Sequence, residues 1–387
     1  MATTRARSDK TESHTAVRLR VVPRAGILPE ITRQTYESLA KALREAVMNA
    51  IDAGATVVHL DFTGAPSGVI RIVDDGEGMS MKDVQDRFLA LGGSERADDA
   101  AKFGRIGIGS LALLTFGESV SVATRRSSYS TVRATLRMPP EHDGLRPLED
   151  ISLGHAAESN DDESPAILGD VDHFTEIAIQ GIRPSVANDM QNVASYYDLL
   201  DELRRLLPLP PPPSTHALLG HLEREDADLA DALRQIHEAW SVRVVAHSEW
   251  HSALDLTRRS YGDSETDEPW VGSPLPVRAL LPSGSGGQVE IVGYLVALPR
   301  ANGDWAGVTA RVQNVAVTVG TFFGLESDPG FLRYVTGEIH ITGDFSKRDL
   351  VRIDRASFNE TTEVFRGIRQ AMQDEIYRFK VAVPQRI

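Results

Sequence analysis

The chain contains no cysteine, which removes disulfides, thiolate metal sites and thiol nucleophiles together. It has no apolar run approaching the roughly eighteen residues of a membrane span. It has no excess of positive charge, since 41 Lys and Arg stand against 55 Asp and Glu for a net charge of −14. That balance opposes non-specific attraction to nucleic acid or anionic lipid, although a local basic face remains compatible with it. The first sixteen residues, "MATTRARSDKTESHTA", lack the apolar segment of a secretory signal. Asp9 and Glu12 within them speak against a mitochondrial transit peptide. A disordered arm over residues 1–16 and a cytoplasmic location are expected. There is no G-x-x-x-x-G-K-[ST] segment, so the P-loop architecture is excluded.

What is present is ordinary globular material: 387 residues, 41% hydrophobic and 25% charged, enough for two domains with their own cores. "LRVVP" at 19–23 reads as a short first strand. A long helix is predicted from Glu30 to Ala53, ended by Gly54 as C-terminal cap. "TVVHLDF" and "VIRIV" are β-branched runs flanking "TGAPSG", the pattern of a hairpin. Sheet is also predicted at "SVSVATRR", "STVRATLRM" and "FTEIAIQ", with a long loop from about 140 to 170. "SYYDLLDELRRLL" is helical and runs into "PLPPPPST", where the prolines end it and mark a stiff boundary over 208–216. Beyond lie a helical acidic stretch, "LEREDADLADALRQIHEAW", several strands and a closing helix to about Phe379. The fold class is α+β, with one domain over 17–207 and a second over 217–387.

Residues 44–55 read "REAVMNAIDAGA". At about 100° per residue, Leu39, Leu43, Ala46, Val47, Ala50 and Ile51 share one broad arc, the core face. Glu45, Asn49 and Asp52 lie within about 60° of one another on the opposite side. One reading is a solvated face on which Lys41 and Glu45 form an i,i+4 ion pair. The other is the polar wall of a pocket. Two glycine turns downstream bear on the choice. "DDGEGM" carries Asp74, Gly76 and Gly78 as D-x-G-x-G directly after a strand. "GRIGIGS" carries Gly104, Gly107 and Gly109 as G-x-x-G-x-G before a helix. Glycines there let backbone N–H groups approach phosphate oxygens at the positive end of a helix. The glycine order does not suit a dinucleotide fingerprint, and no βαβ repeat follows.

In combination, E-x-x-x-N-A-x-D-A, D-x-G-x-G and G-x-x-G-x-G resemble the nucleotide motifs of the Bergerat-fold, or GHKL, ATPases. These include gyrase, the ninety-kilodalton heat-shock chaperones, histidine kinases and MutL. Their fourth element, a threonine in a late strand, is matched by Thr175, and the resemblance spans about 17–205. It implies an α/β sandwich that binds ATP with Mg2+. By this resemblance Asn49 would offer its amide oxygen to the metal, Glu45 would act as general base on the attacking water, and Asp52 would stand behind them. Asp74 would accept the adenine amine, Thr175 would support that contact, and Gly76, Gly78 and Met79 would let the chain pass close to the base. The alternatives are a plain turn residue at Asp74 and a strand filler at Thr175. A lid is expected over about 80–103, its "LGGSER" bringing Ser94 near the phosphates. Gly104, Arg105, Gly107, Ile108 and Gly109 would line the triphosphate. Lys102 and Arg105 flank this loop and either touch phosphates or are surface charge.

The second half resembles the middle, transducer-like domain of the heat-shock chaperones, with matching pieces at Phe331 to Ile339 and at Asp349, Leu350 and Arg355. Its loop is one residue shorter and lacks the family's asparagine and serine. The resemblance implies an arginine reaching the γ-phosphate, with Arg355 first, then Arg352 and Lys347; a surface salt bridge to Asp349 or Asp354 is the alternative. With about thirty residues before the long helix and no cleavage domain evident in the sequence read, a histidine kinase or a topoisomerase is not expected. The expected function is a slowly hydrolysing ATP-driven switch of the chaperone type acting on a protein client or partner. The alternative is a MutL- or microrchidia-like clamp on DNA, favoured by a basic groove should Arg348, Arg352, Arg366 and Arg369 form one. Any homodimer is expected through the ATP-bound first domains, with 1–16 as an exchanging arm. His247 and His251 have the i,i+4 spacing of two metal ligands without an evident third, and read as polar surface.

Overall fold

The computed structural model describes residues 24–30, 38–88, 109–139, 141–147, 152–159, 163–258, 270–283, 287–299, 306–325, 329–343, 350–351 and 357–386. Two sheets organise it. The first has eight strands in the order β5-β4-β3-β6-β2-β1-β7-β8. These are β1 (Val57–Asp61), β2 (Val69–Asp74), β3 (Ser119–Arg125), β4 (Thr131–Arg137), β5 (Gly154–Ser159), β6 (Phe174–Gln180), β7 (Arg243–His247) and β8 (Leu254–Leu256). Burial alternates along β1, and one face of the sheet is covered by helices. Those are α1 (Leu39–Asp52), α2 (Gly109–Leu114), α3 (Pro184–Gln191) and α4 (Val193–Leu206), whose apolar residues join Val58, Leu60, Ile70, Ile72, Val120 and Val122 in one core.

The second sheet runs β12-β11-β13-β10-β9, from β9 (Val271–Pro282), β10 (Gln288–Ala297), β11 (Gly307–Val312), β12 (Val315–Thr321) and β13 (Val335–Gly343). Central strand β10 is apolar almost throughout because both its faces are covered. Ile291 and Leu295 meet α7 (Glu363–Arg386), while Val292, Tyr294 and Val296 meet α5 (Ser214–Glu225) and α6 (Ala227–Trp240). The fold is thus α+β, an α/β sandwich followed by a second α/β unit.

Several local expectations hold. β1 and β2 are an antiparallel pair, and Gly54 follows α1 with a positive φ of 76°. Others change. The described part of the early helix begins at Leu39, because Ser38 is extended and its hydroxyl accepts the Lys41 N–H, an N-cap. Residues 27–30 are a separate helical turn. The expected loop at 140–170 contains β5, an edge strand held by backbone pairing to β4 and too poor in apolar side chains to announce itself. The acidic helical stretch is two helices, broken at Asp226, which caps α6. The proline run at 208–216 does not close the first sheet. The chain passes through α5 and α6, then returns as β7, parallel to β1, before entering the second sheet. Residues 19–23 lie outside the described set.

The second unit leans on the first through the β11–β12 turn. Gln313 and Asn314 both take positive φ there, and Val315 packs with Ile51 and Trp240 against Met48 of α1. The helix that carries Glu45 and Asn49 is therefore braced from the second unit.

Candidate nucleotide site

α1 is buried around most of its circumference, which speaks against a solvated face at Glu45. Glu45 is only 4% exposed, so it is no solvated surface group. Asn49 and Asp52 are half-buried. Arg44, which sequence reasoning did not single out, has no exposure at all and sets its guanidinium 3.5 Å from the Glu45 carboxylate. A buried acid beside a buried guanidinium is restrained in position and kept from wandering to solvent.

The D-x-G-x-G turn is tied to three elements. Its Asp74 ends β2, opposite Thr175 of β6, and its carboxylate accepts the Gly76 N–H at 2.9 Å. The Glu77 N–H donates to the Ala53 carbonyl at 2.9 Å, fastening the turn to the end of α1. His173 Nδ1 donates to the Gly76 carbonyl at 2.8 Å. Gly78 has φ +68° and lies so close to β3 that a Cβ would stand 1.9 Å from the Arg125 carbonyl oxygen. Only glycine fits there, on both grounds. Met79 follows, its N–H donating to Thr124 Oγ1 at 2.9 Å.

Thr124 was not anticipated. Its hydroxyl donates to the Phe174 carbonyl at 2.9 Å, so the 3.1 Å contact between Thr124 and Thr175 uses the Thr175 proton. Thr175 thereby keeps acceptor lone pairs only. Asp74 is 4% exposed, and burial pushes its carboxyl up to about 7, with repulsion from Asp75 adding to the rise and the Gly76 N–H and His173 offsetting part of it. A carboxyl poised there is a strong acceptor wherever a ligand brings an N–H donor.

Among the named residues, Asp74 and Thr175 face one another across β2 and β6, the turn holding Gly76, Gly78 and Met79 is tied to the end of α1, and Glu45, Asn49 and Asp52 lie along that helix. Gly109 opens α2, which packs against α1 in the same core. Ser94, Lys102, Gly104, Arg105, Gly107 and Ile108 lie outside the described residues, as do Lys347, Arg348, Arg352 and Arg355. His247 and His251 do not converge: His247 Nε2 meets His59 Nδ1 at 2.9 Å, and His251 Nε2 meets the Tyr197 hydroxyl at 2.7 Å. Of the basic residues suggested for a groove, Arg369 pairs with Glu360 at 2.6 Å and covers the Phe365 ring, and the Arg366 Nε bonds the Thr362 carbonyl.

Residues 36–153 match the family described as histidine kinase-, DNA gyrase B-, and HSP90-like ATPase. They form a domain of the GHKL ATPase superfamily. The stretch matched by that family contains Glu45, Asn49 and the whole D-x-G-x-G turn. A DNA mismatch repair protein MutL from Methanothrix thermoacetophila is 27% identical over 182 residues, 45% of this chain and 29% of that protein. A MutL from Bacillus licheniformis is 36% identical over 66 residues, 17% of this chain and 10% of that protein. The chain thus matches less than a third of the length of these relatives. A solved structure titled as the N-terminal domain of a DNA repair protein shares the fold, with a TM-score of 0.51 at 14% identity, covering 91% of this chain and 97% of that one. The likeness extends beyond the GHKL domain into the second unit. Among the described residues, no helix is long and apolar enough to cross a membrane.

Proposed function

We propose that the protein is an ATP-hydrolysing conformational clamp of the MutL type, which closes on ATP and engages DNA in the closed state. The observation that carries this reading is the 182-residue match to a MutL protein, which covers 45% of this chain. The shared two-unit fold with a DNA repair protein's N-terminal domain supports it. The chaperone-like reading, with a protein client, rests on the resemblance of Phe331 to Ile339 and of a loop of which Leu350 and Val351 are described, and on the acidic overall charge. The MutL relatives named above favour the DNA-clamp reading over it. A net charge of −14 requires any DNA contact to come from a local basic face.

The chemistry follows from the side chains. Asp74, buried at the end of β2, receives the exocyclic amine of adenine, with the Gly76–Met79 turn beside it. Thr175, restricted to accepting, backs that contact directly or through water. Glu45, held beside Arg44, takes the proton of the attacking water as general base. Asn49 stands one helical turn further on, half-buried, and offers an amide oxygen. Oxygen donors of this kind suit Mg2+, which would supply charge neutralisation on the phosphate oxygens.

A gel shift with duplex DNA at low and moderate salt, with and without a non-hydrolysable ATP analogue, tests the clamp. The expected result is a complex that forms only with the analogue and weakens steeply with salt. No complex under any of these conditions sends the reading back to a protein client. Glu45→Ala is expected to bind ATP normally while turnover falls by roughly 10²- to 10⁴-fold. An unchanged hydrolysis rate would remove Glu45 from the mechanism.

A further inference from the structure

Where the two units meet, a cavity of about 60 Å³ is lined by the end of α4, the start of α5, the segment after β8 and strands of the second sheet. Its charged lining among the described residues is Arg204, Arg205, Arg258, Arg311 and a single acid, Glu338. Arg205 is paired outside the lining with Asp201 at 2.9 Å. Arg311 is fully used: its Nε donates to Glu338 at 2.6 Å, and its Nη atoms donate to the carbonyls of Arg205, Leu207 and Asn314. Arg258 is not. It is 6% exposed, its Nε donates to the Leu209 carbonyl at 3.0 Å and its Nη1 to Glu338 at 2.5 Å, yet its Nη2 is buried with no acceptor. Arg204 has no ion-pair partner among the described residues, and its Nε is likewise buried without an acceptor.

We propose that this inter-unit cavity binds a small tetrahedral oxyanion of the phosphate class, bridging Arg204 of the first unit to Arg258 beside the second sheet. Water could occupy the space but would leave the excess of guanidinium charge uncompensated, whereas an oxyanion accepts several N–H bonds and neutralises charge at once. Arginine cannot shed its proton in this range, so the charge of an under-compensated buried guanidinium is balanced by an anion and not by water. Burial lowers the pKa of Arg258 despite Glu338, which agrees with that deficit. A rival occupant is a divalent cation, because ligand atoms of His237, Glu338 and His340 lie within 4.8 Å of one another. Both oxygens of Glu338 already carry arginines, however, and a cation would add charge to a cluster that is positive before it arrives. The site is separate from the nucleotide pocket, so an anion there would hold the units in one relative setting independently of ATP.

The test is thermal unfolding of the full chain titrated with inorganic phosphate against chloride at constant ionic strength. It is repeated with the non-hydrolysable ATP analogue present, so that the nucleotide pocket is filled. A saturable rise in midpoint that persists with the analogue is expected. It should weaken about tenfold in apparent affinity in Arg204→Gln, a partly exposed position where folding is not at stake. Crystals soaked in sodium tungstate should show an anomalous peak in contact with Arg258 Nη2. The proposal is overturned if phosphate acts no better than chloride, if the analogue abolishes its effect, or if Arg204→Gln responds like the wild type. Stabilisation by stoichiometric Zn2+ without any by phosphate would assign the cluster to a metal instead.

Discussion

Two carboxylates in this molecule are buried to nearly the same degree, Asp74 at 4% exposure and Glu338 at 6%, and their fates are opposite. Asp74 has one backbone N–H, a histidine at a distance and a neighbouring acid; burial wins, and its carboxyl rises to about 7. Burial alone would raise Glu338 as well, but Arg258, Arg311 and His340 outweigh it and hold the group well below its usual range. The difference lies in where the donors come from. Glu338 is satisfied by its own protein and is spent on joining the two units. Asp74 is left short of donors by the protein, which is the condition expected of a group that takes a donor from a ligand.

The largest effect should come from removing the charge of Glu338. Glu338→Gln leaves two guanidiniums buried against a neutral amide, so a loss of about 3–5 kcal/mol is expected in denaturant unfolding. Nucleotide affinity of the folded fraction should be unchanged. A mild effect on stability would mean that the cluster is already neutralised by something else, and the contrast with Asp74 would lose its physical basis.

Asp74→Asn should do the reverse. The amide still offers an oxygen to the Gly76 N–H but presents a weaker acceptor to adenine, and ATP binding is expected to drop by about 1–3 kcal/mol. Stability of the unliganded protein should not fall. The sign follows from the folded carboxyl titrating near 7 rather than 3.8. Below pH 4 both folded and unfolded forms hold the proton, and burial costs nothing extra. Between pH 4 and 7 the unfolded form releases it while the folded form keeps it, so wild-type stability falls as pH rises. Above 7 the penalty is complete, on the order of 4 kcal/mol at most. The variant should therefore outlast wild type in thermal melts at pH 8, with the gap closing towards pH 4. Adenine nucleotide binding near pH 7 should also release a proton, measurable by calorimetry in buffers of different ionisation heat.

The contrast also explains what the residue order made legible. Asp74, Gly76 and Gly78 sit within one turn, and Glu45 and Asn49 within one helix, so local spacing was enough to group them. Gly54 and the hairpin of β1 and β2 were readable for the same reason. Thr175 could be placed only by resemblance, since its position opposite Asp74 depends on the pairing of β2 with β6. Arg44 was passed over because an arginine in a helix is ordinarily surface, and its burial depends on packing that α1 does not reveal alone. The Glu338 cluster draws on β11, β13 and the segment after β8, brought together only when β7 has returned to β1. No short-range pattern encodes a charge network whose members meet through sheet register. β5 escaped notice because backbone pairing, not apolar side chains, holds it.

The smallest effect sharpens the comparison at the ligand side. Thr124 accepts the Met79 N–H, donates to the Phe174 carbonyl and receives the Thr175 proton, so it aligns the turn that follows Asp74. Thr124→Val keeps the shape and removes the hydroxyl. The Met79 N–H and the Phe174 carbonyl then lose a partner, worth about 1 kcal/mol, and Thr175 is free to turn its proton elsewhere. ATP affinity should fall several-fold, with turnover at saturating ATP preserved because Glu45 is untouched. Thr124→Ser restores the hydroxyl and should restore binding, which a loss of packing alone would not allow. If valine binds ATP as tightly as threonine, the turn is held by the close approach of Gly78 to β3 and by the Glu77 bond to Ala53. Asp74 would then need no hydroxyl network to present its oxygen to the base.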